Sequence, residues 1–279
     1  MTIALHPSGI TVAEKNKSII TDSLVSEWAW WKMHGAGADP DVLDEARGAD
    51  AGLQDLALNV AATTDWTANP GWFTPHAAGY NSAVASGTDA DTLMALDTLN
   101  NAGGVLFMCE IFLATNPGSG NEKIFHYGTN GSGGHYALRL QYGANVNFAY
   151  FYQEVGGTLS SSSRAVTSSV GASMAVAVYF DISNNLGTIY VPDTPLGNST
   201  ALDLDGSARP GSSIVANPGL GLLGRPTAND EEFGVSTSGN YIRDLFVLRS
   251  ETDISAQIPG IYAGFAASRP DLPWELEGL

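Results

Sequence analysis

The 279-residue chain carries 12 basic and 29 acidic side chains, a formal charge of −17, and it has no cluster of Lys and Arg. This balance argues against nucleic acid and anionic membrane surfaces as partners. Hydrophobic residues make up 44% of the chain and charged residues only 15%, which excludes global disorder, while 32 Gly and 13 Pro favour many strands joined by tight turns.

Residues 1–22 are predicted to form an arm, because Pro7, Gly9 and a polar run at 14–18 interrupt every apolar period. Such an arm often packs on a neighbouring subunit. The N-terminus lacks a basic flank followed by a long apolar core, so no signal peptide is predicted, and no apolar run approaches the about 20 residues of a membrane span. We expect one domain over residues 23–268 and a tail over 269–279.

Alternating apolar residues predict the strands. The first is Leu24–Trp31, with Trp28 and Trp30 on one face. Val105–Leu113 is apolar on both faces, so we expect it to be covered on both sides. Further strands are predicted at Lys123–Tyr127, Tyr136–Gln141, Val146–Tyr152, Met174–Asp181, Thr188–Val191 and Tyr241–Leu248. Polar or Gly-rich loops are predicted at Ser160–Ser163, Asn198–Ser213 and Arg225–Asn240.

Two hairpins and one helix complete the prediction. Tyr142–Asn145 and Asn184–Gly187 supply the hairpin turns, the second because Asn and Gly tolerate positive φ. The helix is predicted from the helical spacing of Ile254, Ile258, Ile261, Tyr262 and Phe265. Thr252 or Asp253 would cap it, and Pro259 and Gly260 would shorten it to a turn followed by a helix.

The order of these segments resembles the concanavalin-like, laminin-G-like jelly rolls. Met174–Asp181, a turn and Gly187–Val191 are similar to that family's apolar run ending in Asp, followed by Gly-x-Leu-x-Leu-Tyr-Val. Weaker matches are Asp44 to Leu53, in which Arg47 replaces the family's serine, Gly71–Phe73 and Gly219–Gly224. The resemblance covers roughly residues 24–265 and implies an all-β, jelly-roll β-sandwich of two antiparallel sheets with one short C-terminal helix. Sugars or protein partners would then bind on the loops or the concave face.

The sequence offers no clear catalytic constellation. A glucanase of this fold would carry a motif resembling Glu-x-Asp-x-x-Glu, which is absent, and the adjacent acids of Asp230–Glu232 are better interpreted as a solvated turn. Of the five histidines, His126 and His135 could converge on neighbouring strands. Packing is the favoured interpretation, and a lyase-like role with Tyr136 is the alternative.

The lone cysteine, Cys109, is predicted to be a small buried hydrophobe. A catalytic thiolate would need a nearby base and an electropositive setting, whereas the next residue is Glu110.

Two sets of candidate ligand residues remain. Asp39, Asp41 and Asp44 offer oxygen ligands to calcium, although a solvated acidic loop explains them as well. Otherwise no cofactor is predicted. The aromatic rings of Trp66, Trp72 and Tyr80 could stack on sugars, while Trp28, Trp30 and Tyr150 are expected to fill the core.

These features favour a non-enzymatic virion structural or adhesion protein of a tailed phage, such as a capsid decoration, head-fibre or tail-fibre component. Its expected partners are other virion proteins, its own copies in a homo-oligomer and cell-surface glycans. Its expected location is the virion, or otherwise the extracellular space after release. A free carbohydrate-binding module or lectin, with or without a calcium requirement, is the first alternative, and a polysaccharide hydrolase or lyase is the second.

Overall fold

The computed structural model describes residues 27–31, 41–42, 56–58, 83–85, 93–99, 102–128, 133–166, 170–203, 208–211, 220–222 and 240–267. The strands in these ranges are β1 (Glu27–Trp31), β2 (Asp41–Val42), β3 (Leu56–Leu58), β4 (Ala83–Ala85), β5 (Gly104–Leu113), β6 (Gly120–Gly128), β7 (His135–Tyr142), β8 (Val146–Gln153), β9 (Ser160–Val166), β10 (Ala172–Asp181), β11 (Leu186–Val191), β12 (Thr194–Ala201), β13 (Leu220–Leu222) and β14 (Tyr241–Ser250). The helix α1 spans Ile258–Ala267.

The strands form two antiparallel sheets. Sheet A has six strands in the order β1-β14-β5-β10-β11-β12, and sheet B has eight in the order β2-β3-β4-β13-β6-β7-β8-β9. Chain neighbours such as β5 and β6 lie in opposite sheets, as in a jelly roll. The predicted β-sandwich of two antiparallel sheets with a short C-terminal helix is therefore confirmed.

Phe180 of β10 lies at the centre of the core between the sheets. Its ring centroid lies 4.8 Å from that of Tyr136 and 5.7 Å from that of Tyr150. Centroid distances of 6.3 and 6.4 Å join the same ring to Phe125 and Tyr152. Aromatic pairs at these separations contribute ~0.5–1.5 kcal/mol each beyond the burial of their area. One side chain of sheet A therefore packs against β6, β7 and β8 of sheet B.

A second hydrophobic cluster lies on the outer face of sheet A. Leu106 and Met108 of β5 pack there with Ile258 and Phe265 of α1. The opposite residues of β5, Cys109 among them, are fully buried in the core between the sheets. The predictions that this strand is covered on both sides and that Cys109 is a buried hydrophobe are confirmed.

The helix begins later than the apolar spacing alone suggests. Asp253 Oδ1 accepts a hydrogen bond from the Ser255 amide at 2.9 Å and so caps a turn before the helix. The Ile258 amide then donates to the Ile254 carbonyl at 3.2 Å, and Pro259 lies in the first helical turn, where its missing N–H costs nothing. The prediction of a turn followed by a helix is confirmed.

The turn between β10 and β11 is built around Asp181. Its Oδ1 accepts hydrogen bonds from the Ser183 hydroxyl at 2.7 Å and the Asn184 amide at 3.0 Å. Asn185 takes the left-handed conformation, with φ of 55°. At Gly187 the packing, and not the backbone conformation, requires a glycine, because a Cβ there would lie 2.5 Å from the Tyr150 ring.

Two segments predicted as loops are strands, so those predictions were wrong. Ser160–Ser163 belongs to β9 and Asn198–Ala201 to β12, the edge strands of sheets B and A. Edge strands face solvent and tolerate polar side chains. They therefore lack the alternation of apolar residues from which strands are predicted. A hydrogen bond of 3.1 Å from the Thr200 hydroxyl to that of Ser162 links the two edges.

The arm at 1–22 and the tail at 269–279 lie outside the described residues, so the predicted domain limits stay predictions. The same holds for the side chains of Trp28 and Trp30, although their backbones pair with β14. In the described ranges, no helix has both the length and the apolar character to cross a bilayer.

We expect the stability of the fold to decrease in alkali, because tyrosine side chains are buried where α1 packs on sheet A. Burial raises the pKa of Tyr190 to about 12, helped by the nearby Asp181 carboxylate, and burial also raises the pKa of Tyr262. An unfolded chain releases these protons near pH 10, the ordinary value, whereas the folded chain retains them. The stability present below pH 10 is therefore lost as pH rises towards 12.

We expect the urea midpoint of the wild-type chain to fall when pH is raised through 10, the ordinary tyrosine pKa. Tyr190→Phe should show a smaller fall, because this variant has one fewer proton to lose on unfolding. Urea titrations on both sides of that pH measure the effect. Equal falls in the two proteins would contradict it.

Candidate functional site

Sheet B presents one face to the core and the other away from it, and the alternation of side chains decides which residues lie on each. Tyr136, Leu138, Phe148 and Tyr150 belong to the core. The register of β6 to β9 then assigns the opposite set to the face that we call the outer face. Its members are Asn121, Lys123, His126, Gly128, His135, Ala137, Arg139, Gln141, Asn147, Ala149, Phe151, Gln153, Ser161, Ser163 and Ala165. Of these, Lys123, His126 and His135 are buried.

A bulge in β6 sets the outward direction of Lys123. Lys123 pairs with Arg139, but the next matched pair is Phe125 with Leu138, so Ile124 is the extra residue. The bulge lets Phe125 point into the core two residues after Lys123 points away from it. Two cationic residues are thereby placed side by side on β6 and β7.

The centre of the outer face is a stack of Arg139 on Phe151. The Arg139 Cζ atom lies 4.0 Å from the Phe151 ring centroid. Arg139 pairs with Ala149, and Phe151 pairs with Ala137, so each large side chain stands opposite a small one. This leaves the guanidinium room to lie across the ring, and a cation–π contact of this kind contributes ~0.5–1 kcal/mol at an exposed site. Arg139 and Phe151 are both only partly buried.

His126 and His135 stack beside this centre, with ring centroids 5.3 Å apart and planes inclined by 17°. Both are buried, and His126 Nε2 lies 3.1 Å from the Gly128 carbonyl oxygen. The predicted convergence of the two histidines is confirmed. Tyr136, however, faces the core, where its hydroxyl donates to the Met94 carbonyl at 2.6 Å. The lyase-like grouping of these histidines with Tyr136 is therefore wrong.

A buried carboxylate lies at one end of the sandwich, away from the outer face. Glu122 Oε2 accepts hydrogen bonds from the Tyr142 hydroxyl at 2.8 Å and from Asn240 Nδ2 at 3.1 Å. Asn240 Oδ1 accepts from the Ala114 amide at 3.0 Å. These contacts tie together the ends of β5, β6, β7 and β14. We interpret the network as structural, because its groups are satisfied by one another.

The ligand residues predicted from the sequence fall largely outside the described ranges. This holds for Trp66, Trp72 and Tyr80, and for Asp39 and Asp44. The backbone of Asp41 pairs with Ala57 in sheet B. Among the residues that the structure describes, no group of three or more His, Cys, Asp or Glu side chains could hold a metal ion. Calcium binding stays a prediction.

The Arg139–Phe151 pair was not anticipated, although a signal for it exists in the sequence. The hairpin turn at 142–145 fixes the pairing of Tyr142 with Val146. Counting back three residues from Tyr142 on β7 and forward three from Val146 on β8 gives the pair Arg139 and Ala149. Phe151 is then the diagonal neighbour of Arg139.

Comparison with known proteins finds the fold and no closer relationship. No family model and no curated protein matches the chain. The binding domain of botulinum neurotoxin serotype D superposes with a TM-score of 0.55 at 12% identity, over 89% of this chain and 52% of that one. The serotype D/C binding domain gives a TM-score of 0.52 at 8% identity, over 91% of this chain and 53% of that one.

A Trypanosoma rangeli sialidase in complex with a difluoro-nononic acid derivative has a TM-score of 0.50 at 14% identity, over 88% of this chain and 33% of that one. The chain thus spans about half the length of the toxin binding domains and a third of the sialidase. At these identities the likeness shows the fold alone. The protein has a jelly-roll β-sandwich.

Asn240→Ala should destabilise the fold by about 1–3 kcal/mol, because it removes the acceptor of the partly buried Ala114 amide and a donor to the buried Glu122 carboxylate. Asn147→Ala is the control, since the Asn147 side chain donates an exposed hydrogen bond of 3.3 Å to the Asn145 carbonyl. Denaturant titration measures both. Equal losses in the two variants would refute the structural role of Asn240.

Proposed function

We propose that this chain is a non-catalytic glycan-binding jelly roll and that the outer face of sheet B is its binding surface. The observation that carries the proposal is the partly exposed stack of Arg139 on Phe151. Sugar sites combine a flat apolar group with a few polar groups that bond the hydroxyls. Amides and hydroxyls surround the stack on neighbouring strands, contributed by Gln141, Asn147, Gln153, Ser161 and Ser163.

The chemistry of the outer face supports binding rather than hydrolysis. Most glycoside hydrolases need two carboxyl groups flanking the scissile bond. The outward positions of β6 to β9 carry no Asp or Glu, and Glu122 is committed to Tyr142 and Asn240. Histidine could act as a base, but His126 and His135 are stacked on one another and buried.

We further propose that the chain serves as a structural or adhesion component of a tailed-phage virion, where it would assemble with its own copies. The support is the resemblance to jelly rolls of such virions and the predicted arm at residues 1–22, which suits anchoring on a neighbour. A lectin-like surface would suit the attachment of a particle to a cell.

The binding proposal is tested by a glycan array followed by titration calorimetry on the purified chain. Arg139→Ala and Phe151→Ala should each weaken binding about tenfold, which corresponds to about 1.4 kcal/mol. Arg164→Ala is the matched control, because Arg164 pairs with Phe148 and so lies on the opposite face of the same sheet. Loss of binding in the control alone, or no binding to any glycan, would overturn the proposal. Thermal melts check that each variant is folded.

The virion proposal is tested separately by electron microscopy of phage particles labelled with an antibody to this chain. The expected result is regular label on the head or the tail. Particles that carry no label, in a lysate where the chain is found free, would refute it.

A further inference from the structure

We infer that the ligand of the outer face is an uncharged, linear polysaccharide, which the protein contacts over several consecutive sugars. This inference rests on the proposed function and narrows it to one class of glycan. It is carried by the exposure of the outward residues, by their lack of charge and by the length of the surface that they form.

The outer face is most accessible towards the edge strand β9. Lys123, His126 and His135, on β6 and β7, are buried. The outward side chains of β9, in contrast, are exposed, and those of β8 other than Ala149 are partly exposed. We call these accessible positions the β8–β9 strip, which consists of Asn147, Phe151, Gln153, Ser161, Ser163 and Ala165. A ligand of the outer face is therefore one that amides, hydroxyls and one aromatic ring can bind.

The β8–β9 strip is uncharged, because none of its six residues is acidic or basic. Its amides and hydroxyls can bond to sugar hydroxyls without removing a charge from water, which is costly. The whole chain has 29 acidic and 12 basic side chains, so a polyanion that approaches this uncharged surface is repelled. Both features favour a neutral glycan over an acidic one.

Phe151 is the flat apolar group of the strip. On β9 it pairs with Ser161 and has Ser163 as a diagonal neighbour, and on β7 it pairs with Ala137. Because these neighbours are short, a sugar ring can approach the aromatic ring across β9. Arg139, whose Cζ atom lies 4.0 Å from the ring centroid, makes further interactions within the fold. We assign Arg139 the role of a positioning residue that holds the ring in place.

The accessible surface is long compared with one sugar. β9 is an edge strand of sheet B, and the Ser160 hydroxyl accepts a hydrogen bond from the Asp203 amide at 2.6 Å. Strand alternation then places Leu159, which is 47% exposed, on the same side as Ser161. A strand rises about 3.4 Å per residue, so Leu159 to Ala165 extend over about 20 Å. A pyranose is about as large as the Phe151 ring, so only a chain of sugars can contact the whole length.

The test is calorimetry of the full chain, at physiological ionic strength, with oligosaccharides of one to six sugars. The neutral series are β-1,4-linked gluco-, xylo- and manno-oligosaccharides, and oligogalacturonates of the same lengths are the acidic series. We expect at least one neutral series to bind, with an affinity that rises about tenfold or more from the monosaccharide to the hexasaccharide. The acidic series should bind about tenfold more weakly than this neutral series at equal length.

Two variants locate the effect on the strip. Ser163→Arg places a long side chain on the β8–β9 strip, and it should remove most of the gain in affinity with chain length. Leu196→Arg is the matched control, because Leu196 is 82% exposed on β12, the edge strand of the other sheet. The control should retain the wild-type affinities. Thermal melts check that both variants are folded.

The outcomes separate this inference from the proposed function. Equal affinity for the monosaccharide and the hexasaccharide would overturn the inference and leave glycan binding standing. Tighter binding of the acidic series, or an unchanged dependence on chain length in Ser163→Arg, would have the same consequence. Absence of binding to every sugar would overturn both.

Discussion

The packing of Phe180 between the two sheets is the constraint on which the rest of the structure depends. This ring comes from sheet A and contacts aromatic rings on three consecutive strands of sheet B. Once Tyr136 and Tyr150 are fixed inward by it, strand alternation leaves no freedom for their neighbours. Arg139 and Phe151 must then point outward. The candidate binding surface is therefore a direct consequence of how the core is packed.

The two sheets use their outer faces differently. Sheet A covers its outer face with the chain's own helix, since Leu106, Met108 and Phe246 are too apolar to meet water. On sheet B the corresponding side carries a partly exposed guanidinium, amides and hydroxyls over β7 to β9, with small alanines between them, while Lys123, His126 and His135 of the same face are buried. A polar face with the Arg139 guanidinium stacked on Phe151 at its centre is better suited to binding a hydrophilic ligand than to packing against an apolar segment of the protein. The functional proposal follows from this contrast between two sheets of one sandwich.

Much of the fold could be predicted from the sequence, because apolar side chains occur at every second position of a buried strand. Phe148 and Tyr150 of β8 are an example. The strand at Ser160–Val166 could not, since an edge strand rich in serine has no apolar face to detect. The site was also missed. Attention to tryptophans such as Trp66 follows from composition, whereas Arg139 and Phe151 become partners only through the register of a hairpin. The turn at 142–145 determines the register of β7 and β8. Which side of sheet B carries Arg139 and Phe151, however, depends on which residues pack in the core.

We place the proposed ligand on the outer face of sheet B. Backbone amide chemical shifts of the deuterated chain, recorded during titration with a glycan that it binds, test this most directly. We expect the shifted amides to cluster at outward-facing residues of β6 to β8 around Arg139, while those of β10 and β14 stay in place. A cluster of shifts around Trp66, Trp72 and Tyr80, with β7 and β8 unaffected, would contradict it.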